Sequence, residues 1–367
     1  MGSQRALIAF LPTKPAPKQP LLAQFERRGM SIGLLSPTLG GFSRTQMALD
    51  ISQGTRISTR AYTKKLPTVA FVPQGNGGRI DGWSDVLSRA DKAPGDIVPG
   101  LLASTIEAGG GHVAYAGAVG TNQVEAIAAA NLRGRVQGAS LGTIGTVGQR
   151  AVALWRRSSL VVTRLPDDAD GLRALDQILA ARRSRDLVFV VRAPPSGLRL
   201  LPAGMIGPGF HGGELRSATT RRDGLITATD VSPTILSFLG LKVPSKMEGE
   251  RITAVRGGGA KQLQDLSARL DVVMTRRLSV FRDIVIAWLV VIALLFAVRR
   301  GPGLRAGARI AFLGALWLPV IALATAALRP GKMTESLILA AASVVLGAVT
   351  DRLMPWPAAA ALPAFVS

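Results

Sequence analysis

The chain has 367 residues, of which 48% are hydrophobic, with 44 Lys and Arg against 23 Asp and Glu, a formal charge of +21 and no cysteine. This composition excludes disulfides, thiolate metal ligands and a cysteine nucleophile, and at this length and apolar content it fits one sizeable globular domain plus a few membrane helices. Seven Lys and Arg against three acids follow Arg282, leaving +17 ahead of it, a surface that favours anionic headgroups or envelope polymers; no nucleic acid is expected, since no aromatic-interleaved basic stretch or zinc-finger spacing occurs.

The apolar run ALIAFL (6–11) predicts a buried strand, and the proline-rich PTKPAPKQP after it a loop. A short helix is expected over 21–28, a strand over 31–35 and a helix over 43–52. Residues 68–72 read as a strand, 75–78 as a loop and 83–90 as a helix. Alternation is clearest from Pro99 onward: helix 100–108, strand 112–116, helix 122–132, extended 136–141, strand 160–163, helix 170–183 and strand 186–191. Acids Asp167, Asp168 and Asp170 open the 170–183 helix and Arg182 and Arg183 close it, the order its dipole favours. Strands alternating with helices of about a dozen residues imply an α/β sandwich with a mainly parallel sheet covered on both faces.

The soluble domain is expected over 1–256, a Gly hinge and basic amphipathic segment over 257–282, and a transmembrane region over 283–367. Residues 284–298 carry no charge, Gly or Pro and have about the length of a bilayer span. Further spans are expected over 310–328 and 336–350, with another starting in 353–366; these spans show no interior acid or paired charge to mark a transport pathway. Positive charge does not decide sidedness, because Arg299, Arg300, Arg305 and Arg309 follow the first span while Arg269, Arg276, Arg277 and Arg282 precede it. A six-residue apolar run ended by Pro12 is too short for a signal-peptide core, and 353–367 is apolar without a flanking charge, so a piece of a longer polypeptide is expected.

In 225–250, LITATDVSPTILSFLGLKVPSKMEGE, Asp230 is placed to cap a helix, Pro233 to sit in its first turn and Gly240 to close it. The order Asp-Val-x-Pro-Thr-Ile-Leu, Leu-Gly, Pro, Met-x-Gly resembles the C-terminal signature of the alkaline phosphatase and sulfatase superfamily. The resemblance extends upstream to about Ala6. It implies an alkaline-phosphatase-like sandwich, a structural role for Asp230, a His-Gly segment at His211, Gly212 and Gly213, and a match of Ser43–Arg44 to the Ser-Arg that follows a sulfatase nucleophile.

Active members of that superfamily use two divalent metals, with an Asp at the end of the first strand and Asp-His at another. Here Phe10 and Leu11 run into Pro12, Val190 and Val191 run into Arg192, and His112 and His211 are the whole histidine complement. No metal and no cofactor are therefore expected. Thr38 and Ser43 remain as hydroxyl candidates for a nucleophile, although Ser and Thr favour loop and cap positions anyway, and His211 and Arg44 as binding candidates. The function expected is that of a bacterial cell-envelope protein anchored in the plasma membrane, its domain outside the cytoplasm and catalytically inactive. The alternatives are a phosphatase, sulfatase or phospho-group transferase on lipid- or polymer-linked substrate, and a component of an envelope export system.

Overall fold

The computed structural model describes residues 4–12, 20–40, 42–193, 200–270, 282, 286, 302–328 and 332–353. The chain divides into two compact units, Met1–Ser267 and Ala268–Ser367.

In the first unit the apolar runs become strands whose side chains are buried on both faces. These are β1 (Ala6–Leu11), β2 (Ser31–Ser36), β5 (Val113–Ala118), β8 (Leu160–Arg164) and β9 (Leu187–Arg192). Near-continuous hydrophobic strands of this kind need cover on both sides, the requirement that goes with parallel pairing. Indeed β1 lies between β8 and β9 in parallel, and β5 continues the parallel order between β8 and β7 (Gly138–Gly142). On the far side β10 (Leu201–Ile206) runs antiparallel between β9 and β2. The strands β11 (Glu214–Arg216) and β12 (Leu225–Thr227) then add parallel to β2, and β13 (Thr253–Val255) closes that edge antiparallel to β11.

Alternate residues of β1 sort to two separate cores. Ile8 and Phe10 pack on the side of α2 (Arg44–Gln53), α4 (Leu101–Ala108) and α7 (Val231–Phe238), whereas Leu7, Ala9 and Leu11 pack on the side of α1 (Leu21–Arg27), α5 (Val147–Trp155) and α6 (Asp168–Ala181). The result is the expected helix–sheet–helix sandwich with a mainly parallel sheet.

Several local expectations change. Residues 75–78 are not a plain loop: β3 (Ala70–Gln74) and β4 (Gly77–Asp81) form an antiparallel hairpin that with β6 (Arg135–Val136) makes a small second sheet. Gly75 supplies the left-handed turn residue at φ 55°. The predicted helix over 122–132 shrinks to a 3-10 segment, Val124–Ala129, because Asn131 turns the chain by accepting the Arg133 and Arg135 amides on its side chain. Helix α5 has no counterpart among the expected elements. Asp230 caps a 3-10 turn, Ala228–Asp230, rather than α7: its carboxylate accepts the Thr227 amide at 2.8 Å, closing a capping box.

The expected hinge Gly257–Gly259 is tied to the body of the unit. The Gly258 amide donates to buried Glu214 at 2.8 Å and the Ala260 amide to Glu26 at 3.1 Å. Residues 259–270 are helical, and Ala260 and Leu263 are buried in the core on the α1 side.

In the second unit the helices Pro302–Leu328 and Lys332–Leu353 contain the stretches Gly307–Thr325 and Ser336–Leu353, each long and apolar enough to cross a membrane. They cross closely at Gly347, where a Cβ would stand 2.4 Å from the Ile310 carbonyl oxygen, and Trp317 Nε1 donates to Thr350 at 3.0 Å. A charge pair flanks the expected spans 310–328 and 336–350: Arg309 lies 2.7 Å from Asp351. The two are 42 positions apart, and only the antiparallel packing of the helices brings them together. Apart from Ile286 and Leu353, the spans expected over 284–298 and 353–366 lie outside the described residues.

Candidate functional site

In a parallel α/β sheet the loops that can carry chemistry gather at the carboxyl ends of the strands. Here β1 ends in Leu11 and Pro12, β8 in Arg164 and β9 in Arg192, with Phe10 opposite Arg164 and Leu11 opposite Arg192. Because Phe10 belongs to the α2 side and Leu11 to the α6 side, the two guanidinium groups leave the sheet on opposite faces. Burial lowers the pKa of Arg192, and its Nε is enclosed without a hydrogen-bond partner.

On the α2 side, Arg44 opens its helix and pairs with Glu125 of the 3-10 segment, Nε lying 3.1 Å from Oε1. Glu125 is 2% exposed and its Oε2 has no partner. Arg164 Nη1 donates to the Asn122 carbonyl at 2.7 Å, and Arg44 Nη2 approaches the same oxygen at 3.4 Å. Beneath them Tyr115 is fully buried and its hydroxyl has no partner. Burial pushes the Tyr115 pKa well up and the Glu125 charge adds to it, while Arg164 and Arg44 oppose, so the phenol stays protonated.

Ser43 is the N-cap of α2, accepting the Gln46 amide at 3.3 Å. Its oxygen is thereby engaged in the helix start, beside Arg44 but in a structural task. Thr38 lies half-buried in the loop after β2. His211 is exposed and stands at the other end of that strand, since Gly212 bonds the Gly29 carbonyl and Ser31 donates to the Gly212 carbonyl at 2.7 Å. The structure therefore joins Ser43 and Arg44 to one corner and places His211 away from it. Glu125, Arg164 and Tyr115 escaped the sequence reading. The one signal was that two apolar strands, LVVTR and LVFVVR, both end in arginine.

Asp230 lies elsewhere and is wholly engaged. Besides the Thr227 amide it accepts the Thr219 hydroxyl at 2.6 Å and the Glu250 amide at 3.0 Å, which makes it a staple between three segments.

No family model matches the chain, and no curated protein matches it. Solved structures are similar to it. A 2-O GAG sulfatase aligns over 68% of this chain and 73% of its own at 10% identity and a TM-score of 0.39. The cofactor-independent phosphoglycerate mutase of Thermoplasma acidophilum aligns over 65% and 100% at 9% identity and a TM-score of 0.37. A protein from Pyrococcus horikoshii aligns over 66% and 99% at 11% identity and a TM-score of 0.37. The two named enzymes are alkaline-phosphatase superfamily members. These are likenesses of fold and carry no chemistry over to this chain.

The two divalent metals of that superfamily do not fit the residues present. Among the described residues no group of three or more His, Cys, Asp or Glu could hold an ion. The strand ends instead offer the guanidinium groups of Arg164 and Arg192, which donate hydrogen bonds and repel cations.

Proposed function

We propose that this is a membrane-anchored cell-envelope protein whose α/β domain binds or scaffolds without metal-dependent turnover. The observation that carries it is the arginine ending of β8 and β9 on either side of β1, where two-metal ester hydrolysis needs carboxylates and imidazoles. The engagement of Ser43 as a helix cap supports the same reading over an enzyme that uses it as nucleophile. Two helices able to cross a membrane supply the anchor, and the +17 of residues 1–282 suits anionic headgroups or envelope polymers.

The test is made on the full chain in detergent. Elemental analysis is expected to find no stoichiometric divalent metal, a chelator to leave the melting temperature unchanged, and generic phosphate and sulfate esters to survive. Two bound zinc ions per chain, or hydrolysis that disappears in Thr38→Ala, would establish the enzyme instead. Binding to anionic vesicles is expected to exceed binding to neutral ones and to weaken with salt; equal binding at low ionic strength refutes the choice of partner.

A further inference from the structure

The ends of three helices lie together on the amino edge of the sheet, where its parallel strands begin. Helices α1, α5 and α6 cover one face and each returns the chain from the end of one up-running strand to the start of the next, so all three finish at that edge. Each is closed by an arginine doublet: Arg27–Arg28 at α1, Arg156–Arg157 after α5, and Arg182–Arg183, with Arg185 close behind, after α6. Along the order β2-β10-β9-β1-β8-β5 these helices reach across six strands, roughly 24 Å at about 4.8 Å per step.

Helix dipoles and nearby acids account for only part of this charge. Arg28 donates to the Gln24 carbonyl at 2.9 Å and pairs with Asp176 at 2.6 Å. Arg5, which stacks over Trp155, and Arg183 both hold the buried carboxylate of Asp186. Glu26 accepts the Ala260 amide. The acids of the edge are therefore engaged, whereas Arg156, Arg157 and Arg185 are exposed and, among the described residues, make no ion pair and no side-chain hydrogen bond.

We propose that this amino edge is a docking face for an anionic phospholipid bilayer, with Arg156, Arg157 and Arg185 as the groups that meet the headgroups. The assignment rests on the membrane-anchored reading above and locates its contact. Guanidinium groups spread over several strands along one edge reach a plane of phosphodiesters together, and each can donate a pair of N–H bonds to phosphate oxygens. The chain itself supplies the proximity: residues 259–270, which lead in sequence to the stretches able to cross a membrane, start on this edge at Glu26, next to Arg27. The loops at the carboxyl ends of the strands, among them 143–146 after β7, then face away from the bilayer.

The experiment uses the full chain reconstituted into bilayers of phosphatidylcholine with or without phosphatidylglycerol, both containing a lipid spin-labelled on its headgroup. The chain has no cysteine, so Ser184→Cys, exposed between Arg183 and Arg185, carries a single dye at the amino edge, and Gly145→Cys, where a Cβ meets open space, carries one at the carboxyl edge. Quenching at position 184 is expected to be about twofold or more stronger with phosphatidylglycerol and to fade with salt, while position 145 stays unquenched. Joint Arg156→Gln, Arg157→Gln and Arg185→Gln should abolish the lipid dependence, each basic group near such a surface being worth about fivefold. Joint Arg133→Gln and Arg135→Gln, exposed beside β6 on the other face, should leave it intact. Equal quenching at position 184 in the two bilayers, a comparison that needs none of the arginine variants to fold, overturns the proposal, as does a lipid dependence that survives the triple change. Stronger quenching at 145 than at 184 with phosphatidylglycerol would keep the anionic bilayer as partner and sink this face alone. Shielding of the 184 thiol by soluble polyphosphate, without any effect of phosphatidylglycerol, would assign the edge to an anionic polymer instead. Stoichiometric metal or ester turnover would sink the non-catalytic reading and leave the docking face standing.

Discussion

Asp50 is a fully buried carboxyl in the middle of α2, and its environment decides its protonation. Oδ1 accepts from Gln46 Nε2 at 2.7 Å and Gln53 Nε2 at 3.2 Å, whereas Oδ2 has no partner and neither has Gln46 Oε1. Burial pushes its pKa well above the ordinary value, outweighing the Gln46 hydrogen bond and the charges of Arg56 and Arg89. Folding then takes up a proton at Asp50. Its contribution is most favourable below the unfolded carboxylate pKa of about 3.9 and is lost as pH rises from there through the raised folded value. Asp186 works in the opposite sense: burial opposes its charge, but hydrogen bonds from Arg5 and Arg183 prevail and lower its pKa, so its stabilisation holds above the ordinary value and disappears as pH falls through the folded one. The expected result is that Asp50→Asn removes the alkaline decline in melting temperature while keeping the acid limb. Melting curves of the two proteins that run parallel from pH 4 to pH 9 would show that Asp50 is ionised in the fold. Nothing in the local sequence marks this group, because an Asp in a helix ordinarily points to water.

At the scale of elements, α2 shows how a cap and a site residue differ. If Ser43 serves the helix, Ser43→Ala should cost about 1 kcal/mol in denaturant unfolding and Ser43→Asp should restore it. A nucleophile would give no such rescue. The segment after β13 carries a second expectation. With Gly258 bonded to Glu214 and Gly259 at φ 80° beside Glu26, residues 257–261 should resist limited proteolysis, and Glu214→Ala should open them to cleavage. Cleavage of the unaltered chain there at the rate of an unstructured peptide would restore the free hinge. The triple glycine is legible in the sequence as a change of course. That it is held down is not, because the two glutamates that bind it come from residues 26 and 214.

At the scale of the whole molecule, the domain is proposed to face outward, although positive charge on the two sides of the first expected span is nearly balanced. Because the chain has no cysteine, Lys242→Cys gives a unique thiol at an exposed position of the domain. A membrane-impermeant maleimide should label it in intact cells or spheroplasts. Labelling only after the membrane is permeabilised would place the domain inside and exclude an envelope role.

The sequence by itself determined what depends on neighbours along the chain. Apolar runs such as ALIAFL and LVFVV form strands, acid-opened and arginine-closed stretches form helices, and 307–325 and 336–353 are apolar enough for membrane spans. The motif around Asp230 also declared a helix cap, which the structure moved to the 3-10 turn just ahead of α7. What only the tertiary structure decided is everything that required distant residues to meet. The Arg309–Asp351 pair, the Glu214 clasp on Gly258 and the meeting of Arg44, Arg164, Glu125 and Tyr115 join positions tens of residues apart. Periodicity records which face of an element is buried, not which partner buries it. The charge balance of a site is a property of that partner, so arginines that looked like solvated surface in the sequence proved to be gathered at the carboxyl edge of the sheet.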